Sequence, residues 1–147
     1  MTDISFYHVV NTAADMVLPK LLEKILKTGS RAVIQTISYE RVDMISSLLW
    51  THQPNSFIPH GTRKDGESKD QPIWITAEEE NPNSSETLVL IDGTDVFDFS
   101  SYKRCLFIFD GSDRVLALAR AKWLSYKEAG HHLSYWQETA SGGWKRR

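Results

Sequence analysis

The sequence predicts a three-layer α/β fold around a mostly parallel sheet. Three observations carry this. The first fifty residues alternate strand-type and helix-type segments in the order β-α-β-α, a pattern that calls for parallel strands joined by crossovers. Cys105 to Phe109 form an unbroken apolar run, as in a strand covered on both faces. A further helix-spaced segment follows almost at once, from Arg114.

Ile4 to Val10 is rich in β-branched and aromatic residues and reads as the first strand. Val17, Leu21, Leu22, Ile25 and Leu26 recur at helical spacing within residues 13–27, and Gly29 follows as a stop. Pro19 lies inside this pattern, so the helix is expected to start near it, where a missing N–H costs nothing. Arg31 to Ile37 is a second strand. Ser38 is placed to cap a helix through about Trp50, with Val42, Ile45, Leu48 and Leu49 on one face.

Thr51 to Asp70 holds Pro54, Pro59, Gly61 and Gly66 and reads as loop. Pro72 to Thr76 and Thr87 to Ile91 read as strands flanking an acidic, Asn- and Ser-rich connection that is expected to be solvated. Arg104 to Phe109 is the next strand. Ser112 and Asp113 can cap a helix from Arg114 to about Ala129, which Gly130 ends. His131 to Trp136 is expected as a last, edge strand. Residues 1–136 should therefore form a single domain. Residues 137–147, with Gly142-Gly143, are expected to be a mobile tail on which Trp144 could dock.

With 147 residues the chain is long enough for one well-packed core. No apolar run reaches the roughly 20 residues that span a bilayer, so no membrane partner is expected. The first residues lack the pattern of a signal peptide, and a cytoplasmic location is the expectation. Cys105 is the sole cysteine; an intrachain disulfide is impossible, and its apolar neighbours predict a buried, inert thiol. The net charge of −2 argues against a strong grip on nucleic acid by the whole surface, which needs many phosphate contacts. The sequence also shows no aromatic stacking platform along a basic groove. Little direct nucleic-acid binding is expected. The charge is uneven, however. Residues 60–86 hold seven acidic and three basic side chains, whereas 114–127 hold four basic and no acidic ones.

The fold class is Rossmann-like, but without a phosphate-binding loop. Such a loop needs glycines between the first strand and first helix; here that turn is Asn11-Thr12-Ala13-Ala14. His131 and His132 are adjacent, so on a strand they face opposite ways and do not grip one ion together. His52 and His60 flank a loop without cysteine, and Glu78-Glu79-Glu80 reads as a solvated charge run. No cofactor, metal or catalytic residue is expected. A divergent α/β nucleotide-binding protein or hydrolase built from scattered Asp and His residues is the competing reading, and no motif points to it.

Two segments look like surfaces for partners. The first runs from Trp50 to His60 and combines Trp50, Phe57, Ile58, Pro54 and Pro59 in a stretch too irregular for a core strand. It is either a loop tucked over the core or an aromatic anchor. The second is the basic helix. At about 100° per residue, Val115, Leu118, Ala119 and Tyr126 form an apolar face for the sheet, while Leu116, Arg120, Trp123 and Lys127 fall within about 60° of one another on an adjoining stripe. This stripe is either a core extension with solvated charges, or a pocket for a peptide bearing an apolar side chain and carboxylates. Arginine suits the second role because its planar fork takes a carboxylate bidentately.

Several motifs resemble a known family in order and spacing over nearly the whole chain. They are Ser5-Phe6-Tyr7 in the first strand, Leu49-Trp50 closing the second helix, Ser56-Phe57-Ile58-Pro59-His60 after a short loop, and Ala119-Arg120, Trp123, Tyr126 and Ala129-Gly130 along the late helix. The chain is similar to the chi subunit family of bacterial DNA polymerase III, a non-catalytic part of the clamp-loader assembly. The resemblance implies contact with the acidic C-terminal tail of the single-stranded DNA-binding protein, centred on Arg120 with Trp123, Leu116, Phe109 and Lys127. It also implies a second contact, through Trp50, Phe57 and Pro59, with a psi subunit or other clamp-loader component. Leu116 and Leu124 stand where basic residues would strengthen a site for an acidic tail.

Overall fold

The computed structural model describes residues 2–10, 13–51 and 58–147. Its strands are β1 (Asp3–His8), β2 (Ala32–Gln35), β3 (Ile73–Thr76), β4 (Thr87–Leu90), β5 (Arg104–Phe109), β6 (His132–Glu138) and β7 (Trp144–Arg146). They form one sheet in the order β3-β2-β4-β5-β1-β6-β7. β1 to β6 are all parallel, and β7 returns antiparallel to β6. The expected three-layer α/β architecture is the one observed.

Alternation along the strands divides the core in two. From β5, Leu106 and Ile108 face α1 (Ala14–Lys27) and α2 (Tyr39–Thr51), where Leu18, Leu22, Ile25, Val42, Ile45 and Leu49 are buried with them. Cys105, Phe107 and Phe109 face the other way, toward α3 (Asp113–Glu128) and its Ala119 and Tyr126. Ser38 caps α2 as expected, its hydroxyl accepting the Arg41 N–H at 3.2 Å. Ser112 occupies the corresponding position before α3 without a side-chain bond, and Asp113 falls in the first turn, where a negative charge favours the helix dipole.

The structure differs from the sequence expectations in four places. α1 begins at Ala14, so Pro19 lies within the helix and is buried. The turn ahead of it is tied down from outside: the Arg41 guanidinium grips Asp15 through two bonds of 2.6 and 2.9 Å. On α3, Leu118 is partly exposed and Lys122 is buried in its stead. The Lys122 ammonium donates to the carbonyls of Gly93 and Thr94 and lies 4.4 Å from the centre of the Phe107 ring, which compensates for burying its charge.

The connection from β3 to β4 is the third difference. Both strands are parallel to β2 and lie on either side of it, a geometry usually bridged by a helix-containing crossover. Ten residues make the return here; Glu78, Glu79, Ser84 and Glu86 are exposed, as expected, but the rest of the segment is at least partly packed down. Asn83 and Ser85 are buried; Asn83 donates to the Gln71 carbonyl at 2.8 Å and accepts from the Ser85 hydroxyl at 2.6 Å. Glu80 accepts from the Trp74 indole and the Thr76 hydroxyl, both at 2.9 Å. Fourth, β6 is not the edge. Residues expected in a mobile tail extend it to Glu138 and return as β7, and Trp144 docks edge-on against Tyr7 with ring centres 5.1 Å apart.

Candidate functional site

The sheet is wider than the single helix on its α3 face. Ala119, small and buried, lets α3 sit close to the strands, and Leu116 and Trp123, one turn to either side, reach past it toward β1 and β6. Trp123 meets Phe6 edge-on at 5.3 Å and Tyr135 at 6.2 Å. Between α3 and the outer strands this leaves a groove of about 530 Å³, lined chiefly by Leu116, Arg120, Trp123, His8, Tyr135 and Arg147. Its floor is apolar and aromatic, and two guanidinium groups stand at its margin.

The inner wall is one connected unit. The Tyr135 hydroxyl lies 2.9 Å from His8 Nδ1. Phe109, 2% exposed, stacks beneath the His8 ring at 5.0 Å with planes 9° apart. Burial holds the His8 pKa below its ordinary value, the nearby Arg147 cation lowers it further, and Asp110 opposes both. Burial raises the Tyr135 pKa, against the field of Arg147 and Arg120. The Arg147 backbone N–H donates to the Tyr135 carbonyl at 2.8 Å, which anchors the Arg147 main chain beside the groove.

Of the residues singled out on α3, Leu116, Arg120 and Trp123 line this groove. Phe109 supports it from behind, through His8. Lys127 is exposed farther along the helix and is not among the lining side chains. His8 and Tyr135 escaped sequence reasoning. Their faces follow from strand parity, but their proximity depends on β6 pairing with β1, in the register Phe6 to Tyr135, which no local pattern announces.

The second candidate surface lies toward the opposite edge of the sheet, on the α2 side. Trp50 is 60% exposed at the end of α2, and its ring meets His60 edge-on at 5.5 Å. His60 is held by Ser46, 3.0 Å from Nε2, and by the Ile58 carbonyl, 2.7 Å from Nδ1. Ile58 is fully buried and Pro59 half-buried. Phe57 and His52 lie outside the described residues, as does the Asn11-Thr12 part of the first βα turn.

At the carboxyl ends of the strands, where doubly wound folds bind nucleotides, there is a smaller crevice of about 260 Å³ that includes Asp92 and Asp110. Arg41, beside this crevice, is engaged by Asp15 and Asp92, so among the described residues this end presents carboxylates. Among the described residues no group of three or more His, Cys, Asp and Glu side chains is arranged to hold a metal ion, and no helix is long and apolar enough to cross a membrane.

Residues 1–134 match a family model described as "DNA polymerase III chi subunit, HolC". A curated relative from Rickettsia prowazekii (strain Madrid E), described as "Probable DNA polymerase III subunit chi", is 34% identical over 109 residues. That alignment covers 74% of this chain and 66% of the relative, just under two thirds of its length. The span matched by the family model includes His8, Leu116, Arg120 and Trp123; Tyr135 and Arg147 fall outside it.

Proposed function

Because this chain belongs to the DNA polymerase III chi subunit family, and so to the accessory apparatus of replication, we propose that its groove beside α3 binds the acidic C-terminal tail of the single-stranded DNA-binding protein. The protein would then act as a non-catalytic adaptor, linking that protein to the clamp loader. The observation that carries this reading is the pairing of an apolar floor with the Arg120 and Arg147 guanidinium groups in one groove. An acidic tail that ends in an apolar side chain needs both. The apolar side chain is desolvated on Trp123 and Leu116, and the carboxylates meet cations whose planar forks suit them. The second surface, at Trp50 and Pro59 with Phe57, is proposed for a psi subunit or another clamp-loader component. Its place toward the far edge of the sheet supports simultaneous occupancy.

The direct test is calorimetric titration of a synthetic acidic tail peptide into the protein. Saturable binding of one peptide per chain is expected. A peptide lacking its terminal apolar residue should bind far more weakly. Equal binding of both peptides, or of neither, would sink the proposal. A pull-down from the source lysate, recovering the single-stranded DNA-binding protein and clamp-loader components, tests the linkage.

A further inference from the structure

On the sheet face that α1 and α2 cover elsewhere, the outer strands leave a second groove, of about 440 Å³. It shares no lining residue with the α3 groove. Its surface is made by cross-strand rows. Tyr7 on β1 stands in register with Trp136 on β6, and Trp136 with Arg146 on β7. One step back, Ser5 is opposite Ser134. Both rings are half-exposed. The Ser134 hydroxyl donates to Ser5 Oγ at 3.0 Å and accepts from the Trp136 indole N–H at 3.3 Å, so the indole is oriented rather than loose. Trp144 props Tyr7 from the side.

The charge on this face is mainly cationic, from Arg104 and Arg146. Arg146 lies 5.8 Å from the Trp136 ring centre. Arg104, exposed at the start of β5, is close enough to lower the Tyr7 pKa against its burial. No carboxylate among the described residues is within ion-pair distance of either guanidinium. The one acidic side chain in the groove, Asp3, has His132 at 3.5 Å.

We propose that this open face, built on Tyr7, Trp136, Arg104 and Arg146, is a contact site for single-stranded nucleic acid. Register pairing sets Tyr7 and Trp136 side by side on one face of adjacent strands, a pair of aromatic surfaces on which unpaired bases stack. The flanking guanidinium groups suit phosphodiester oxygens. A duplex keeps its bases inside and presents no face to such a platform. The site goes beyond the tail-binding reading and does not depend on it. It is small, with two cations and two rings, so its own affinity is weak, on the order of tens of micromolar at low salt. It becomes effective when the chain is already held beside a single strand, where the second contact is intramolecular. This is compatible with the little nucleic-acid binding that the net charge predicts, but it departs from the sequence reading of no stacking platform, because Tyr7 and Trp136 meet only through the pairing of β1 with β6.

The test is fluorescence anisotropy of a labelled short oligothymidylate at low salt, with tryptophan quenching as a second readout. Trp136→Ala and Arg104→Glu should each weaken binding about tenfold, while Trp136→Phe retains most of it and guards against a folding defect. All three should keep wild-type affinity for the acidic tail peptide, and Arg120→Ala should keep wild-type affinity for the oligonucleotide. The proposal is overturned by absence of saturable binding to the wild-type protein, by wild-type binding in both Trp136→Ala and Arg104→Glu, or by equal affinity for a duplex of the same length. It is also overturned if Trp136→Ala loses the tail peptide and keeps the oligonucleotide, which would assign the face to acidic peptides. Failure of the tail peptide to bind anywhere sinks the tail reading and leaves this one standing.

Discussion

The hydroxyl of Tyr135 and Nδ1 of His8 lie 2.9 Å apart across the paired strands β1 and β6, on the wall of the groove beside α3. His8 is half-buried and its pKa is depressed by burial and by Arg147, so the neutral imidazole prevails at neutral pH. Two consequences have opposite signs. Folding disfavours the imidazolium, so the His8 contribution to stability is present above its ordinary value near 6.5 and is lost as pH falls through the lower, folded value. Anionic peptide in the groove favours the imidazolium. Tail binding should therefore take up protons and tighten as pH falls from about 7.5 to about 5.5. Calorimetry in buffers of different ionisation enthalpy measures the uptake. His8→Gln should abolish it, and zero uptake by the wild-type protein would remove His8 from the site.

Arg120 should anchor the tail electrostatically. Losing a charge-assisted, partly desolvated contact costs about 2–5 kcal/mol, so Arg120→Ala should weaken the peptide at least about 30-fold. Arg120→Lys should recover part of this, since it keeps the charge without the fork, and added salt should weaken the wild-type complex by screening. Equal affinities for wild type and Arg120→Ala, both folded by circular dichroism, would show a solvated helix residue instead.

The Trp50 surface should behave independently. Trp50→Ala and Phe57→Ala are expected to impair capture of a psi-type partner while leaving tail-peptide affinity within about twofold, because distant sites without shared partners act additively. A folded Phe57→Ala protein that no longer bound the tail would contradict the two-site assignment.

How much of this could be read in the sequence depends on distance along the chain. Elements held by local pattern, such as α2 with its Ser38 cap or the apolar run of β5, were visible. Features that depend on a remote partner were not. α1 starts ahead of Pro19, with its first turn held by Arg41 reaching back to Asp15, and Lys122 is buried because Gly93 and Thr94 supply carbonyls. On a helical wheel Lys122 is merely a cation. The α3 stripe was legible as three of the groove's lining residues, Leu116, Arg120 and Trp123. The opposing wall was not, since His8 and Tyr135 are 127 positions apart and meet only through a strand pairing.

Arg41 binds both Asp15 and Asp92 while only 19% exposed, joining the starts of α1 and α2 to the end of β4. Arg41→Ala leaves two partly buried carboxylates without a cation. A cost of about 2 kcal/mol is expected, below that of a fully buried pair because water still reaches the cluster. The melting temperature should drop by about 5 °C. A change under about 1 °C would mean that the cluster organises the helices without stabilising them.

Cys105 is fully buried and burial pushes its thiol pKa up. The thiolate is the reactive form, so a thiol reagent should label the native protein only as fast as it opens, and immediately in denaturant. Rapid labelling of folded protein at neutral pH would contradict the placement of β5 at the centre of the sheet.

β1 precedes the other strands of its sheet in the chain, and its two neighbours, β5 and β6, begin at residues 104 and 132. A nascent chain emerging from the ribosome therefore carries β1 with both edges open until β5 and β6 have been made. No early hairpin can shelter it, because its partners have not yet been made. The sheet closes only after β6 has emerged, so its folding is governed by long-range contacts, the slow regime for small domains. Meanwhile the exposed Ile4, Phe6 and Val9 edge is available to chaperones or to wrong partners. Truncations that remove β6 should yield chains that aggregate during translation instead of shorter folded proteins.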